Sequence, residues 1–493
     1  MQSRLNENIL LWAVAVLQPA SAADVRTFIA SIYPEISPLP NNGEIENIFS
    51  SWRQEGYLQR VHGKSRLYSA TYKANSKLSI KLRRSRDKAR IFLLKSARDV
   101  SQNKSGVREQ DSVGDSPPTE GSRQLQEGSW PIKPASVPRD PRTTNRFYWS
   151  RVSKQLNLKV GPVFSSPDTF FNYYSFPSIK SIHEASDKAA SEKDLSITDL
   201  SLAIGVSPRL ITSFIHAHKN HYRQFKIGKR GGGERVINSP RTFLKVVQYW
   251  ILDYLLHSLP CHPNCHSYKK GKSILSNSLP HVRQKYVANI DISNFFPSIS
   301  EKMVTCLLRD NKLGEQLSQA VARIVTLEDG LPQGAPTSPI ISNALLNNFD
   351  EIITQQALSF DLVYTRYADD ITISGGKKEN IISLIKNISM NLKDIGFSVN
   401  EKKTRIASHG GQQKVTGIVV NEISQPPRSY RRNIRSMFHH AEISPKLFEN
   451  KISMLKGHIS YLQSFPNMQG KKELIGYRDV CKKIEKISIQ QIK

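Results

Sequence analysis

Two adjacent carboxylates, Asp369 and Asp370, stand between two apolar runs, residues 360–366 and residues 371–374, the second closed by Gly375-Gly376. Apolar residues alternate on both sides, which is the period of a half-buried strand. Tyr367-Ala368-Asp369-Asp370 therefore reads as the tip of a β-hairpin. A third carboxylate, Asp291, ends the apolar strand-like run 285–290 and is followed by Phe295-Phe296-Pro297. Carboxylates projected from tight turns into one cleft suit Mg²⁺, a hard cation that takes oxygen ligands and keeps company with substrate phosphates. Phosphoryl transfer between nucleotides uses two such ions about 3.5–4 Å apart. Each feature also has a plainer reading. An Asp pair is a common solvated turn, and Asp291 could simply precede a helix over residues 301–309 capped by Ser293 or Ser300.

The elements that would carry these residues follow from their surroundings. Leu331-Pro332-Gln333-Gly334-Ala335-Pro336-Thr337-Ser338-Pro339 makes a rigid loop, and residues 340–349 read as one buried helix. Upstream, residues 222–237 form a basic hairpin around Gly231-Gly232-Gly233, whose glycines permit positive φ at a tight turn. Its plainer reading is a flexible basic surface hairpin.

Taken together and in this order, these segments resemble a reverse transcriptase. Asp291 matches the first aspartate of motif A, residues 331–339 match the LPQGxxxSP of motif B, Tyr367 to Asp370 match the YxDD of motif C, and residues 393–404 look like motif D. The resemblance implies an α+β right-hand polymerase with fingers, palm and thumb. It makes Asp291, Asp369 and Asp370 the catalytic residues and, with Ile292, the metal site for two Mg²⁺ ions, with Mn²⁺ as a substitute. Lys229, Arg230 and Arg235 would meet template or incoming dNTP, Gln333 and Gly334 the nascent pair, and Tyr367 the primer end. Phe296 falls at the steric gate that favours dNTPs; simple palm packing is its alternative.

The likeness narrows to retron enzymes. Val415-Thr416-Gly417 matches their VTG, and Asn277-Ser278-Leu279-Pro280-His281 resembles their NAxxH with Ser278 in place of Ala. That resemblance implies a cognate structured noncoding RNA as partner, copied into branched, RNA-linked single-stranded DNA. It also implies anti-phage defence with an effector protein. Arg428, Arg431, Arg432 and Arg435, on a helix of the expected thumb, are candidate RNA contacts. A group II intron-like or other defence-associated reverse transcriptase without branched product is the alternative, as is a non-enzymatic DNA-binding regulator with an inactive palm.

The chain's 493 residues carry a formal charge of +28, which calls for a polyanionic partner. No long apolar span marks a membrane protein. The four cysteines are too sparse for a disulfide scaffold and point to the cytoplasm. Cys261-His262-Pro263-Asn264-Cys265-His266 has the look of half a zinc site, with no second pair to complete it. The run 9–17 before Ala20-Ser21-Ala22-Ala23 mimics a signal peptide, yet Glu7 accompanies Arg4 in its flank.

Residues 1–72 read as three helices and a hairpin, the order of a winged helix. Arg53, Arg60, Lys64 and Arg66 are its candidate DNA contacts. Glu44, Glu46 and Glu55 on the third helix favour protein docking instead. Residues 73–142 read as a basic segment, helical towards Leu94, and then a flexible linker rich in Ser, Gly and Pro. Residues 143–220 read as an N-terminal helical extension of the expected polymerase, with aromatics at 147–174 and two helices over 195–218. Residues 221–420 are the expected fingers and palm, and residues 421–493 the thumb.

Overall fold

The computed structural model describes residues 7–94, 197–228 and 233–490, except positions 19, 33–37, 61–65, 67, 80–81, 84–85, 92–93 and 312. The expected linker, the aromatic segment 147–174, and Lys64, Lys229 and Arg230 lie outside the described residues. The chain divides into two compact units, Met1–Ser258 with Ser300–Ser338, and Leu259–Ile299 with Pro339–Lys493.

The first unit begins with α1 (Glu7–Leu17), α2 (Ala22–Ile32) and α3 (Asn42–Gln54), followed by the antiparallel pair β1 (Leu58–Arg60) and β2 (Tyr68–Ala70). The order is the expected one. The α3 start is a capping box. The Glu44 N–H donates to Asn41 Oδ1 at 2.9 Å, and the Asn41 N–H donates to Glu44 Oε2 at 2.7 Å. Gly56, at φ +78°, ends the helix turn. All eight residues 10–17 of α1 are buried. The stretch with signal-peptide composition is thus a core helix, packed against α2 through Trp12 and Phe28 with ring centroids 5.7 Å apart.

Packing continues past residue 72, through α4 (Tyr72–Lys77) into a helical stretch at residues 86–91. The helix was expected from the sequence; its burial was not. Arg86, Asp87, Arg90, Ile91 and Leu94 are all buried. The physical reason is a set of acceptors remote in sequence. Arg90 donates to the carbonyls of Val16, Leu17 and Gln18, where α1 ends, and to the Ile204 carbonyl at the end of α5 (Ile197–Ile204). Helix C-termini carry unpaired carbonyls and partial negative charge, so one guanidinium serves two of them. Asp87 accepts from the Ser207 N–H at 2.8 Å and from Ser207 Oγ at 2.5 Å, just before α6 (Pro208–His216). Gly205 between these helices sits at φ +81°, and a Cβ there would lie 2.6 Å from Arg90 Nε.

The basic hairpin is present as β3 (Tyr222–Gly228) and β4 (Glu234–Pro240), paired from Tyr222↔Pro240 to Gly228↔Glu234. In the same unit the Gln333 carbonyl accepts from the Asn238 N–H at 2.9 Å. Gly334, at φ +118°, lies so close that a Cβ would come 3.0 Å from Ile237 Cγ2.

The second unit holds a four-stranded antiparallel sheet in the order β6-β7-β5-β8, with β5 Tyr286–Asp291, β6 Leu362–Tyr367, β7 Asp370–Gly375 and β8 Arg405–Ser408. The helix expected over 340–349 is instead two, Ser338–Leu345 and Asn347–Ser359. The break precedes Asn347-Asn348, whose amides compete with the backbone inside a helix and favour its ends. The last helices, Arg428–Ile443, Ile452–Gln463 and Lys472–Gln490, pack around Phe438, Phe465 and Tyr477. No helix among the described residues is long and apolar enough to cross a membrane.

Candidate active site

The three aspartates all belong to the second unit, and strand register explains why they are neighbours. Asp291 at the end of β5 pairs with Asp370 at the start of β7, and Asp370 also pairs with Tyr367 of β6. Ala368-Asp369 is therefore a two-residue hairpin loop. Such loops need positive φ at the first central residue, a place usually given to Gly or Asn. Here it is Ala368, at φ +57°. The left-handed region costs a residue with a Cβ roughly 1–2 kcal/mol.

That strained residue is held at both ends. Its N–H donates to Ser267 Oγ at 2.9 Å, and its carbonyl accepts from an Arg366 guanidinium nitrogen at 3.0 Å. Arg366 is wholly buried and grips Asp350 in two parallel bonds of 2.7 and 2.6 Å. Tyr364 donates its hydroxyl to the same carboxylate at 2.6 Å. Burial and the Asp350 charge both push the Tyr364 pKa up, so the phenol stays a donor. Asn343 accepts from Ser267 Oγ at 3.3 Å and donates to the Ser267 carbonyl at 2.9 Å. Segment 264–266 runs beside Arg366, exchanging backbone bonds from the Arg366 N–H to the Asn264 carbonyl and from the His266 N–H to the Arg366 carbonyl.

The other side of the turn is tied to β5, since the Ile292 N–H donates to the Asp369 carbonyl at 3.1 Å. Deeper in the sheet, His281 is buried between Ser374 Oγ at 2.6 Å and Thr365 Oγ1 at 2.8 Å. Burial first, then the charge of His266, pushes its pKa down to about 3, so it is neutral.

Lys403 stands over the first aspartate, its ammonium 2.9 and 3.0 Å from the two Asp291 oxygens. Asn400 donates to Asp291 Oδ2 at 3.3 Å. The Asp370 carboxyl is pushed up to about 6 by lost hydration, then by the charges of Asp369 and Asp291; Lys403 opposes the shift. Crowded carboxylates that resist ionisation are a donor set whose strain a divalent cation relieves. Without one, the ammonium of Lys403 supplies the positive charge at Asp291. Among the described residues no group of three or more His, Cys, Asp and Glu side chains is already gathered as a metal shell, at the aspartates or at Cys261–His266.

Among the remaining residues singled out above, Phe296 is half-buried beside the buried Phe295, with ring centroids 5.4 Å apart, and Tyr367 is half-buried at the turn. Arg235, Gln333 and Gly334 lie in the first unit, Arg235 and Gly334 exposed and Gln333 half-buried. Arg428, Arg432 and Arg435 are exposed, with Arg435 3.3 Å from Glu473, whereas Arg431 is half-buried. The helix that carries Asn277 and Ser278, Ile274–Ser278, meets the turn at 415–417 through its first residue. Thr416 and Gly417, both at positive φ, turn a tight hairpin, and Thr416 Oγ1 donates to the Ile274 carbonyl at 3.3 Å.

Ser267, Asn343, Asp350 and Arg366 had no assigned role in the sequence. One signal was available. Arg366 shares the inward face of β6 with Leu362 and Tyr364, and a charge at such a position requires a partner.

Residues 227–430 match the reverse transcriptase (RNA-dependent DNA polymerase) family. The chain is 31% identical over 287 residues to the retron Mx65 reverse transcriptase of Myxococcus xanthus, covering 54% of this chain and 67% of that one. It is 30% identical over 282 residues to the retron Ec86 reverse transcriptase of Escherichia coli, covering 57% and 87%. The retron Mx162 reverse transcriptase of Myxococcus xanthus is 32% identical over 286 residues, 51% of this chain and 59% of that one. This chain belongs to the retron-type reverse transcriptases, a class of RNA-directed DNA polymerases.

Proposed function

We propose that the chain copies part of a cognate structured RNA into single-stranded DNA joined to that RNA by a branch, by two-metal nucleotidyl transfer at Asp291, Asp369 and Asp370. The observation that carries the chemistry is the pairing of Asp291 with Asp370 across β5 and β7, with Asp369 presented by the adjoining loop. Two Mg²⁺ ions held there, or Mn²⁺ in their place, would activate the primer hydroxyl and neutralise the triphosphate. The Ile292 N–H fixes the Asp369 carbonyl, and Lys403 keeps Asp291 neutralised until a cation takes over. Phe296, half-buried five residues after Asp291, is the ring we assign to exclude a ribose 2′-OH.

The retron reading is supported by the likeness to retron enzymes and by the docking of turn 415–417 on helix Ile274–Ser278. Its RNA partner fits the charge of +28, with phosphate and shape contacts dominating. We assign Arg428, Arg432 and Arg435 to that contact. The order of α1, α2, α3, β1 and β2 supports a winged helix that docks an effector protein or contacts DNA in anti-phage defence in the cytoplasm. The test is to isolate DNA from expressing cells. A short species joined to RNA whose mobility shifts on debranching is expected; DNA with only 3′–5′ linkages refutes the branched product.

A further inference from the structure

We propose that Ser267 and the Arg366–Asp350 pair are positioning residues that hold the peptide groups on either side of Ala368, and so aim the Asp369 carboxylate at the metal site. The proposal rests on the carboxylate reading above and adds to it the device that sets the turn. Three observations carry it. Ala368 occupies the left-handed region that a two-residue hairpin requires, without the freedom of glycine. Its only two backbone polar groups are both taken from outside the loop, the N–H by Ser267 Oγ and the carbonyl by Arg366. Arg366 in turn cannot swing away, because both Asp350 oxygens hold it and neither side chain touches solvent.

The arrangement explains why a full ion pair is buried beneath an exposed carboxylate turn. An Arg366 fork locked on Asp350 has one nitrogen left, which donates to the Ala368 carbonyl at 3.0 Å and to Asn343 Oδ1 at 3.4 Å, and that nitrogen reads the orientation of the 368–369 peptide plane. Ser267 reads the plane before it. Rotating either plane turns Asp369 away from Asp291 and Asp370. None of Ser267, Asp350 and Arg366 takes part in the chemistry itself. Their effect is on how strongly the site binds a cation and how fast it turns over, not on how the chain binds nucleotide.

The test compares wild type, Ser267→Ala, and Ser267→Ala combined with Ala368→Gly. It measures single-dNTP incorporation on an RNA template, Mn²⁺ binding to the free protein by electron paramagnetic resonance, and thermal unfolding. In Ser267→Ala, kcat is expected to fall roughly tenfold and Mn²⁺ affinity to weaken severalfold. The KM for dNTP should stay within about twofold, as for an interaction that acts on the transition state. Glycine at 368 adopts positive φ without strain, so the double variant is expected to regain part of both losses. Unchanged kcat and Mn²⁺ affinity in Ser267→Ala overturn the proposal. So does a loss of activity matched only by loss of folded protein. Wild type that binds Mn²⁺ but incorporates nothing, with weaker Mn²⁺ binding in Ser267→Ala, would retire the polymerase reading and leave the positioning role standing.

Discussion

Two buried arginines organise this molecule, and they are satisfied in opposite ways. Arg366 meets a full carboxylate, Asp350, in a fork of two bonds under the turn that presents Asp369 and Asp370. Arg90 meets carbonyls where α1 and α5 end, with Asp87 of the same helix occupied by Arg86 and Ser207. The first centre spends its charge on one partner and keeps a nitrogen for Ala368. The second spreads its charge over helix ends and joins the three-helix bundle to α5 and α6. The lesson is that a buried charge can serve either to aim a side chain or to join two pieces of fold, and that its acceptors tell which.

The sharpest contrast is in activity. Asp369→Asn should remove a metal-ligand charge without altering the joint at Arg90, and lower incorporation by on the order of a thousandfold or more, several kcal/mol of barrier. Primer extension with unchanged thermal unfolding is the expected pair of results; near-native rates in Mg²⁺ would mean the site is misassigned.

Next in size is stability at the first centre. Asp350→Ala leaves a buried guanidinium without its counter-charge, for a cost of about 3–5 kcal/mol. Chemical denaturation measures it. A loss under about 1 kcal/mol would show that water or another group compensates, and the contrast with Arg90 would collapse.

At the second centre, Gly205→Ala drives a Cβ to 2.6 Å from Arg90 Nε and 2.9 Å from Gln18 Nε2, at a φ of +81°. The expected cost is about 1–3 kcal/mol, in unfolding rather than in the rate per folded molecule. A variant as stable as wild type would mean that Arg90 does not hold these helices together. The same contact bears on truncation. Cutting away the segment that carries Asp87 and Arg90 leaves the ends of α5 and the start of α6 without their partners, so a polymerase fragment lacking it is expected to unfold at lower temperature.

The smallest effect separates the centres by pH. A ligand must be ionised to bind a cation. Asp370, with its pKa raised to about 6 from an ordinary 3.8, is protonated below that value. Apparent Mg²⁺ affinity should therefore be flat above about pH 6 and fall by up to about tenfold per pH unit below it. Mg²⁺ titrations of primer extension at pH 5.5 and 7.5 check this, and equal half-saturation at both would place the shift elsewhere.

Much of the site was legible along the chain because it is local. Alternation on either side of Tyr367–Asp370 predicts two strands and a tight turn, and β6 and β7 are those strands. Asn41, Gly56 and Gly233 mark ends and turns by chemistry that acts within a few residues. The order of Asp291, the 331–339 loop and the Asp pair identified the reverse transcriptase family before any packing was known, as the family match bears out. Where local preference met competition it failed, as at Leu346, where one expected helix became two.

The tertiary structure decided the partners of the buried charges. Asp350 lies 16 residues from Arg366, Ser267 lies 101 from Ala368, and Ile204 lies 114 from Arg90. A run rich in Lys and Arg reads as solvated until something closes over it, because the cost of burying a guanidinium depends wholly on which acceptors arrive. Hydrophobic period and turn chemistry are properties of neighbouring residues, so the sequence alone determined the strands, the carboxylate turn and the family. Desolvation and its compensation are properties of groups brought together by folding, so only the folded chain determined that Arg366 supports the turn and that Arg90 ties the first helices to α5.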